Sequence, residues 1–187
     1  MPLRYKKEIT LKDGQDCLLR SAVAEDAQEI LEHQRITSAE TDFMARYPDE
    51  ICDTPEKEAY LLQAVEADPH SIMLSAFVSG NLAGSASVFT DKVHSRCGHR
   101  GDFGISVKQK YWNEGIGSAL LQACLEAAQR AGLEQVELGV VDTNLRAFHL
   151  YRRFGFQIYG MLPNAFRYRD GSYAGEYEMV CKFSEQK

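Results

Sequence analysis

Residues 107–118 read VKQKYWNEGIGS, and the reading of this stretch decides the rest of the chain. A strand-like run, HRGDFGISV at 99–107, leads into it. A helical stripe leads out: Ile116, Leu120, Leu121, Cys124, Ala127, Ala128 and Ala131 recur near the 3.6-residue period, and Gly132 stops them. Between strand and helix sit Gly115 and Gly117, which let backbone N–H groups approach a ligand closely, while the helix N-terminus adds positive partial charge. Both features suit a phosphate or pyrophosphate. A lone GxG is equally a tight strand–helix turn with Gly115 as spacer. Two other phosphate-binding patterns fail on spacing: no Gly-Lys pair is followed by Ser or Thr, and Leu120 stands where a dinucleotide fingerprint needs its third glycine.

Working outward, Lys7–Leu11 and Asp16–Ala22 flank Asp13-Gly14 and read as a hairpin. Ala24–Ser38 places Ala27, Ile30, Leu31 and Gln34 at helical spacing, with Glu25 and Asp26 in the first turn. A second helix opens at Pro55 behind Thr54 as N-cap and closes before Asp68-Pro69. From Ser71 the period changes to two. Ile72–Val78 and Leu82–Thr90 are strands joined through Ser79-Gly80-Asn81. After the 116–131 helix come a buried-type strand at Gln135–Val141 and a helix over Asn144–Phe154, with closing strands at Phe156–Met161 and Gly175–Phe183. This order predicts one α/β domain over residues 1–187, built on a mixed sheet.

The 187 residues carry Lys+Arg 21 against Asp+Glu 27, a net charge of −6, which argues against general nucleic-acid binding. At this length roughly 70% of the unfolded surface is buried on folding, so neither disulfide nor metal is needed as a staple. The five cysteines show no CxxC spacing, and Cys97 with His94 and His99 is the nearest approach to a metal cluster; reduced thiols and no metal are expected. No apolar run approaches the ~20 residues of a membrane span, and the N-terminus lacks the apolar core of a secretory signal. The expected location is the cytoplasm, without membrane partners.

Two motifs together resemble the GNAT superfamily of acetyl-CoA-dependent N-acetyltransferases. The first is a strand ending in Val107 and the glycine turn NEGIGSALL opening a long helix; the second is QVELGVVDTN followed by RAFHLYRRFGF, with Asn144, Leu150, Tyr151, Gly155 and Phe156 in register. The resemblance covers Ile72–Phe183 in element order. It implies a mostly antiparallel, twisted sheet, splayed at the cofactor site and flanked by helices. Residues 1–70 would form an acceptor wall and 71–187 the cofactor-binding core. The family's Gln or Arg ahead of the glycines is Trp112 here, and the next Gly is Asn113.

By this resemblance the pantetheine arm pairs with the backbone of Ile105, Ser106 and Val107, and Trp112, Asn113, Glu114, Gly115, Ile116, Gly117 and Ser118 hold the pyrophosphate. Asn144 contacts the cofactor arm, besides serving as a plain N-cap. Lys108, Lys110, Arg152 and Arg153 offer local positive charge. Tyr151 is the expected proton donor to the leaving thiolate. A primary ammonium is neutral in only about one molecule in a thousand at pH 7, so a base or a water relay is also required. Asp102, Glu137 and Glu50 are candidates for it. The acceptor is a small amine, an amino acid or antibiotic, or a protein N-terminus, and a homodimer is compatible with the family. In the irregular stretch Ser38–Ile51, Phe43 and Tyr47 with the carboxylates Glu40, Asp42, Asp49 and Glu50 would favour a cationic amine by steering. A non-catalytic CoA-binding domain of the same fold is the alternative function.

Overall fold

The computed structural model describes residues 4–90 and 96–183, so His94 of the cluster weighed for a metal lies outside the described residues. The chain opens with β1 (Lys6–Thr10) and β2 (Asp16–Ser21), then α1 (Ala27–Glu40) behind a short 3-10 turn. Asp26, expected as a dipole-stabilising acid, does more: its buried carboxylate accepts Arg20 at 2.6 and 2.7 Å and the Val23 amide at 2.9 Å, fastening the start of α1 to β2. In α2 (Pro55–Ala67) the Lys57 amide donates to Thr54 Oγ1 at 3.3 Å, as the Thr-Pro pair predicts.

The remaining elements are β3 (Ile72–Val78), β4 (Asn81–Thr90), β5 (Arg100–Val107), α3 (Ile116–Arg130), β6 (Gln135–Val141), α4 (Leu145–Arg153), β7 (Gln157–Arg167) and β8 (Tyr173–Lys182). Strand β7 runs six residues past the expected Met161. Pro163 and Asn164 form an irregularity in this edge strand, with Asn164 at φ 54° and a register shift between Leu162 and Phe166.

All eight strands form one sheet in the order β1-β2-β3-β4-β5-β6-β8-β7, antiparallel except for the β5–β6 pair. Alternation sorts the side chains onto two faces. One face carries Leu74, Ala76, Ala86, Val88, Phe103, Leu138 and Val140 against Leu120, Leu121 and Cys124 of α3 and Tyr151 of α4, forming the main core. The other carries Phe77 and Leu82 against Ala27 and Ile30 of α1 and Leu62 of α2. Burial of these apolar side chains, each worth ~1.5–3 kcal/mol, fixes the register of every strand between the helix layers.

The parallel ladder is short. It pairs Arg100 with Gln135, Gly101 with Val136 and Asp102 with Glu137, and stops. Beyond Asp102, β5 stays with β4 through Val107, while β6 stays with β8 through Val141. The sheet therefore opens into a V from Gly104 and Gly139 onward, leaving one backbone edge of each strand unpaired.

Candidate active site

A cavity of about 960 Å³ passes through this V. On the α3–α4 face it is walled by the turn ahead of α3 and by Asn144, Ala147, Leu150 and Tyr151; on the α1 face by Thr37, Thr41, Phe43, Met44, Phe166 and Glu176. Of the residues expected to hold the cofactor, all line this cavity except Glu114 and Ile116. Ile116 is fully buried in the core and offers only its amide. Glu114 turns the other way: its carbonyl accepts the Lys12 amide at 3.2 Å and its carboxylate the Asp13 amide at 3.0 Å, which ties the β1–β2 turn to the start of α3. That tie sets the β1–β2 turn beside the glycine turn, and Lys12 lines the cavity there.

The glycine turn has the shape an anion needs. Asn113 and Gly115 adopt left-handed backbone at φ 69° and 102°, and no side chain caps α3. The amides of 116–118 meet no described partner, and a Cβ on Gly115 would stand in open space, in the groove itself. Such a row of free N–H groups at a helix N-terminus fits a pyrophosphate. Trp112 replaces the family's polar residue with a platform. Its indole N–H donates to the Val107 carbonyl at 2.6 Å, and the Arg146 guanidinium lies over its ring at 3.3 Å from the centroid. Of the four expected cations only Arg153 lines the cavity; Arg146 and Lys12 join it. Lys108 instead sits among Glu29, Glu32 and Glu40 of α1, and Lys110 lies over the Tyr111 ring.

Asn144 caps α4 through Oδ1, which accepts the Ala147 amide at 3.2 Å, and it lines the cavity as well. Tyr151 is 6% exposed, packed edge-on against Phe103 and tilted on Phe156. Burial pushes its phenol pKa up, so the proton is held at neutral pH.

The three base candidates stand outside the cavity. Glu137 is paired with Arg100 at 3.2 Å, Asp102 is its neighbour on the last rung of the parallel ladder, and Glu50 accepts the Tyr47 amide at 2.8 Å. Other rim carboxylates are engaged too. Glu40 accepts the Gln109 amide at 2.7 Å, and Asp49 pairs with Arg169 at 2.8 Å. Of these carboxylates Asp49 meets a guanidinium, whereas Glu40 and Glu50 hold neutral backbone amides and keep their charge. The β7–β8 turn is tied to the same stretch: Tyr168 Oη donates to the Asp42 carbonyl at 3.1 Å, and the Arg169 amide to the Tyr47 phenol at 2.9 Å.

A second cavity of about 420 Å³ meets the first at Gly104, Ile105, Ser106 and Met44 and extends under α1 and α2. It is lined by His33, Gln34, Arg46, Asp53, Lys57 and Glu58 among others. Ser106 Oγ lies 2.8 Å from His33 Nε2, and burial, helped by Lys108, pushes the His33 pKa down to about 4. At neutral pH the ring is uncharged.

The family model described as the acetyltransferase (GNAT) family matches residues 28–156. The chain belongs to the GNAT family. As a GNAT protein it is an enzyme with a single mixed-sheet fold, and its relatives agree. The L-amino acid N-acetyltransferase AaaT of Escherichia coli (strain K12) is 29% identical over 138 residues, 71% of this chain and 84% of that protein. A crystal structure of a GNAT-family acetyltransferase from Streptococcus pneumoniae is 33% identical with a TM-score of 0.86, over 89% of this chain and 99% of that one. The fold is also that of the yncA acetyltransferase of Salmonella typhimurium, solved with its cofactor acetyl-CoA: TM-score 0.79 at 18% identity, over 90% of this GNAT chain and 95% of that one.

Proposed function

We propose that the enzyme transfers the acetyl group of acetyl-CoA directly to the primary amine of a small amino acid. The observation that carries this reading is the cavity itself, which joins the free amides ahead of α3 to the α1 face through the V between β5 and β6. Acetyl-CoA lies with its phosphates on the amides of 113–118, beside Arg146, and its pantetheine arm along the open edge of Ile105–Val107. The amine enters from the α1 face, attacks the thioester carbonyl carbon and displaces the thiolate. Tyr151 returns a proton to that sulfur, for its phenol lines the cavity and has no hydrogen-bond partner among the described residues.

An amino acid suits the second cavity, whose lining carries both signs of charge: Arg46 and Lys57, which share the single carboxylate of Asp53, and the Glu58 carboxyl, unpaired among the described residues. The activity of AaaT on L-amino acids, as its name gives it, supports the same class. The test is release of CoA thiol across a panel of L-amino acids, polyamines and N-terminal peptides. The expected result is kcat/KM highest for one or more free amino acids. A preference for polyamines or peptides would replace the acceptor class, and no turnover with any amine would leave a CoA-binding domain.

A further inference from the structure

The V opens between two residues that have no side chain. The last rung of the β5–β6 ladder is Asp102 with Glu137, and two residues further along each strand, on the same face, come Gly104 and Gly139. Alternation settles which face this is. Phe103 and Val140 point into the α3 core, and Ser106 reaches His33 of α1, so Gly104 and Gly139 face α1, the side from which an amine arrives. Gly139 leaves its space to a carboxylate: a Cβ built there would overlap Glu176 Oε1. Glu176, on β8, is paired in register with Val141, and Met179 of the same strand points into the core, which puts Glu176 on the α1 face. Its side chain lies back across Gly139 and lines the through-cavity.

We propose that Glu176 is the general base of the transfer, taking the proton that the acceptor ammonium must lose before it attacks. This rests on the acetyl-transfer reading above. The proton passes from nitrogen to the Glu176 carboxylate, and the freed lone pair forms the C–N bond to the thioester carbonyl carbon. The C–S bond breaks, and the sulfur takes its proton from Tyr151. The nitrogen of the adduct still carries one proton too many, and its loss through water re-protonates Tyr151, while Glu176 passes its own proton to bulk water. Ammonium and thioester thus become amide, thiol and one released proton.

The surroundings of Glu176 fit that task. Among the described residues it forms no ion pair, whereas Glu137 is held by Arg100. Glu178 lies on the same strand, Glu137 and Asp102 on the same face of β6 and β5, and Asp142 at the end of β6, with its Oδ2 accepting the Gly175 amide. From β7 comes the Tyr159 phenol, and from α4 Arg146, His149 and Arg153 line the other side of the cavity. Burial, and then the charge of Glu178, raise the Glu176 carboxyl above its ordinary range. A carboxylate of raised pKa is a stronger base.

The test is Glu176→Gln, nearly isosteric, assayed with the best amino acid at saturating acetyl-CoA. The expected result at pH 7 is a ~10²- to 10³-fold loss of kcat/KM with acetyl-CoA Kd unchanged. The variant should regain about tenfold per pH unit as free amine accumulates, while the wild type flattens. With an amine whose own pKa lies below 7 the deficit should shrink to a few-fold, a rescue that a purely structural defect would not show. Gly139→Ala, which displaces the carboxylate, should reproduce the loss and its pH signature. A Glu176→Gln enzyme with wild-type activity and pH profile overturns the proposal while leaving acetyl transfer intact. A wild type inactive on every amine overturns both.

Discussion

The Arg146 guanidinium rests 3.3 Å from the centre of the Trp112 ring, and the indole beneath it is pinned to the Val107 carbonyl. In the proposed binding mode this stack keeps a cation at the phosphate end although Trp112 stands ahead of the glycines. The cation comes from α4, and the aromatic face holds it in place. A stacked cation contributes ~0.5–2 kcal/mol, and a charged hydrogen bond ~1.5–3 kcal/mol.

Arg146→Ala should therefore raise the acetyl-CoA Kd about tenfold or more, and Trp112→Ala severalfold. Calorimetric titration at two salt concentrations checks this. The wild-type affinity should fall with salt more steeply than that of Arg146→Ala.

Gly115 sits at φ 102°, a left-handed backbone that a β-branched side chain rarely adopts, and its missing Cβ faces the open groove. Gly115→Val should abolish acetyl-CoA binding while the chain remains folded by circular dichroism. Retained affinity in a folded variant would move the phosphates elsewhere.

Tyr151→Phe keeps the ring that packs on Phe103 and Phe156 and removes only the hydroxyl. Acetyl-CoA affinity should stay within a few-fold, and turnover should fall ~10²-fold. Steady-state rates at saturating substrates, with a viscosity control to show that chemistry limits, read the effect.

His33 gives the fold an acid limit. Its pKa of about 4 in the folded chain lies below the ordinary 6.5, so the unfolded chain binds the extra proton between those values. Stability is then full above pH 6.5 and is lost as pH falls toward 4. Between pH 7 and pH 5 the loss from this group should be about 2 kcal/mol. Urea unfolding at the two pH values should show it, and His33→Gln should remove most of the difference.

Much of the cofactor side is legible in the sequence because its signals are local. The helical stripe from Ile116, the Gly115-Gly117 turn, and Asn144 with Tyr151 on one short helix all lie within a few residues of the features that reveal them. The acceptor side is not local. Glu176 matters because it crosses Gly139, 37 positions earlier, and nothing in QVELGVV marks that glycine as a gap for a distant carboxylate. Arg146 looks like any helix arginine until α4 is laid beside Trp112.

Lys108 and Lys110 follow the strand closely in sequence, yet the 3-10 turn at Gln109–Tyr111 carries them away from the cavity. Glu40 and Glu50 of the expected acidic rim also accept backbone amides, contacts that composition does not reveal. Glu50 carried a readable hint: it stands three residues after Tyr47, the spacing of a turn cap.

The central claim is direct acetyl transfer through the V between β5 and β6, and product stoichiometry in a single incubation tests it. Protein, acetyl-CoA and the preferred L-amino acid are mixed, and thiol release, N-acetyl product and intact protein mass are followed together. The account predicts one CoA released per acetylated amino acid, negligible release without acceptor, and no acetyl group on the protein. Acetyl on the enzyme before acceptor is added, or thiol released without acetylated product, would contradict it.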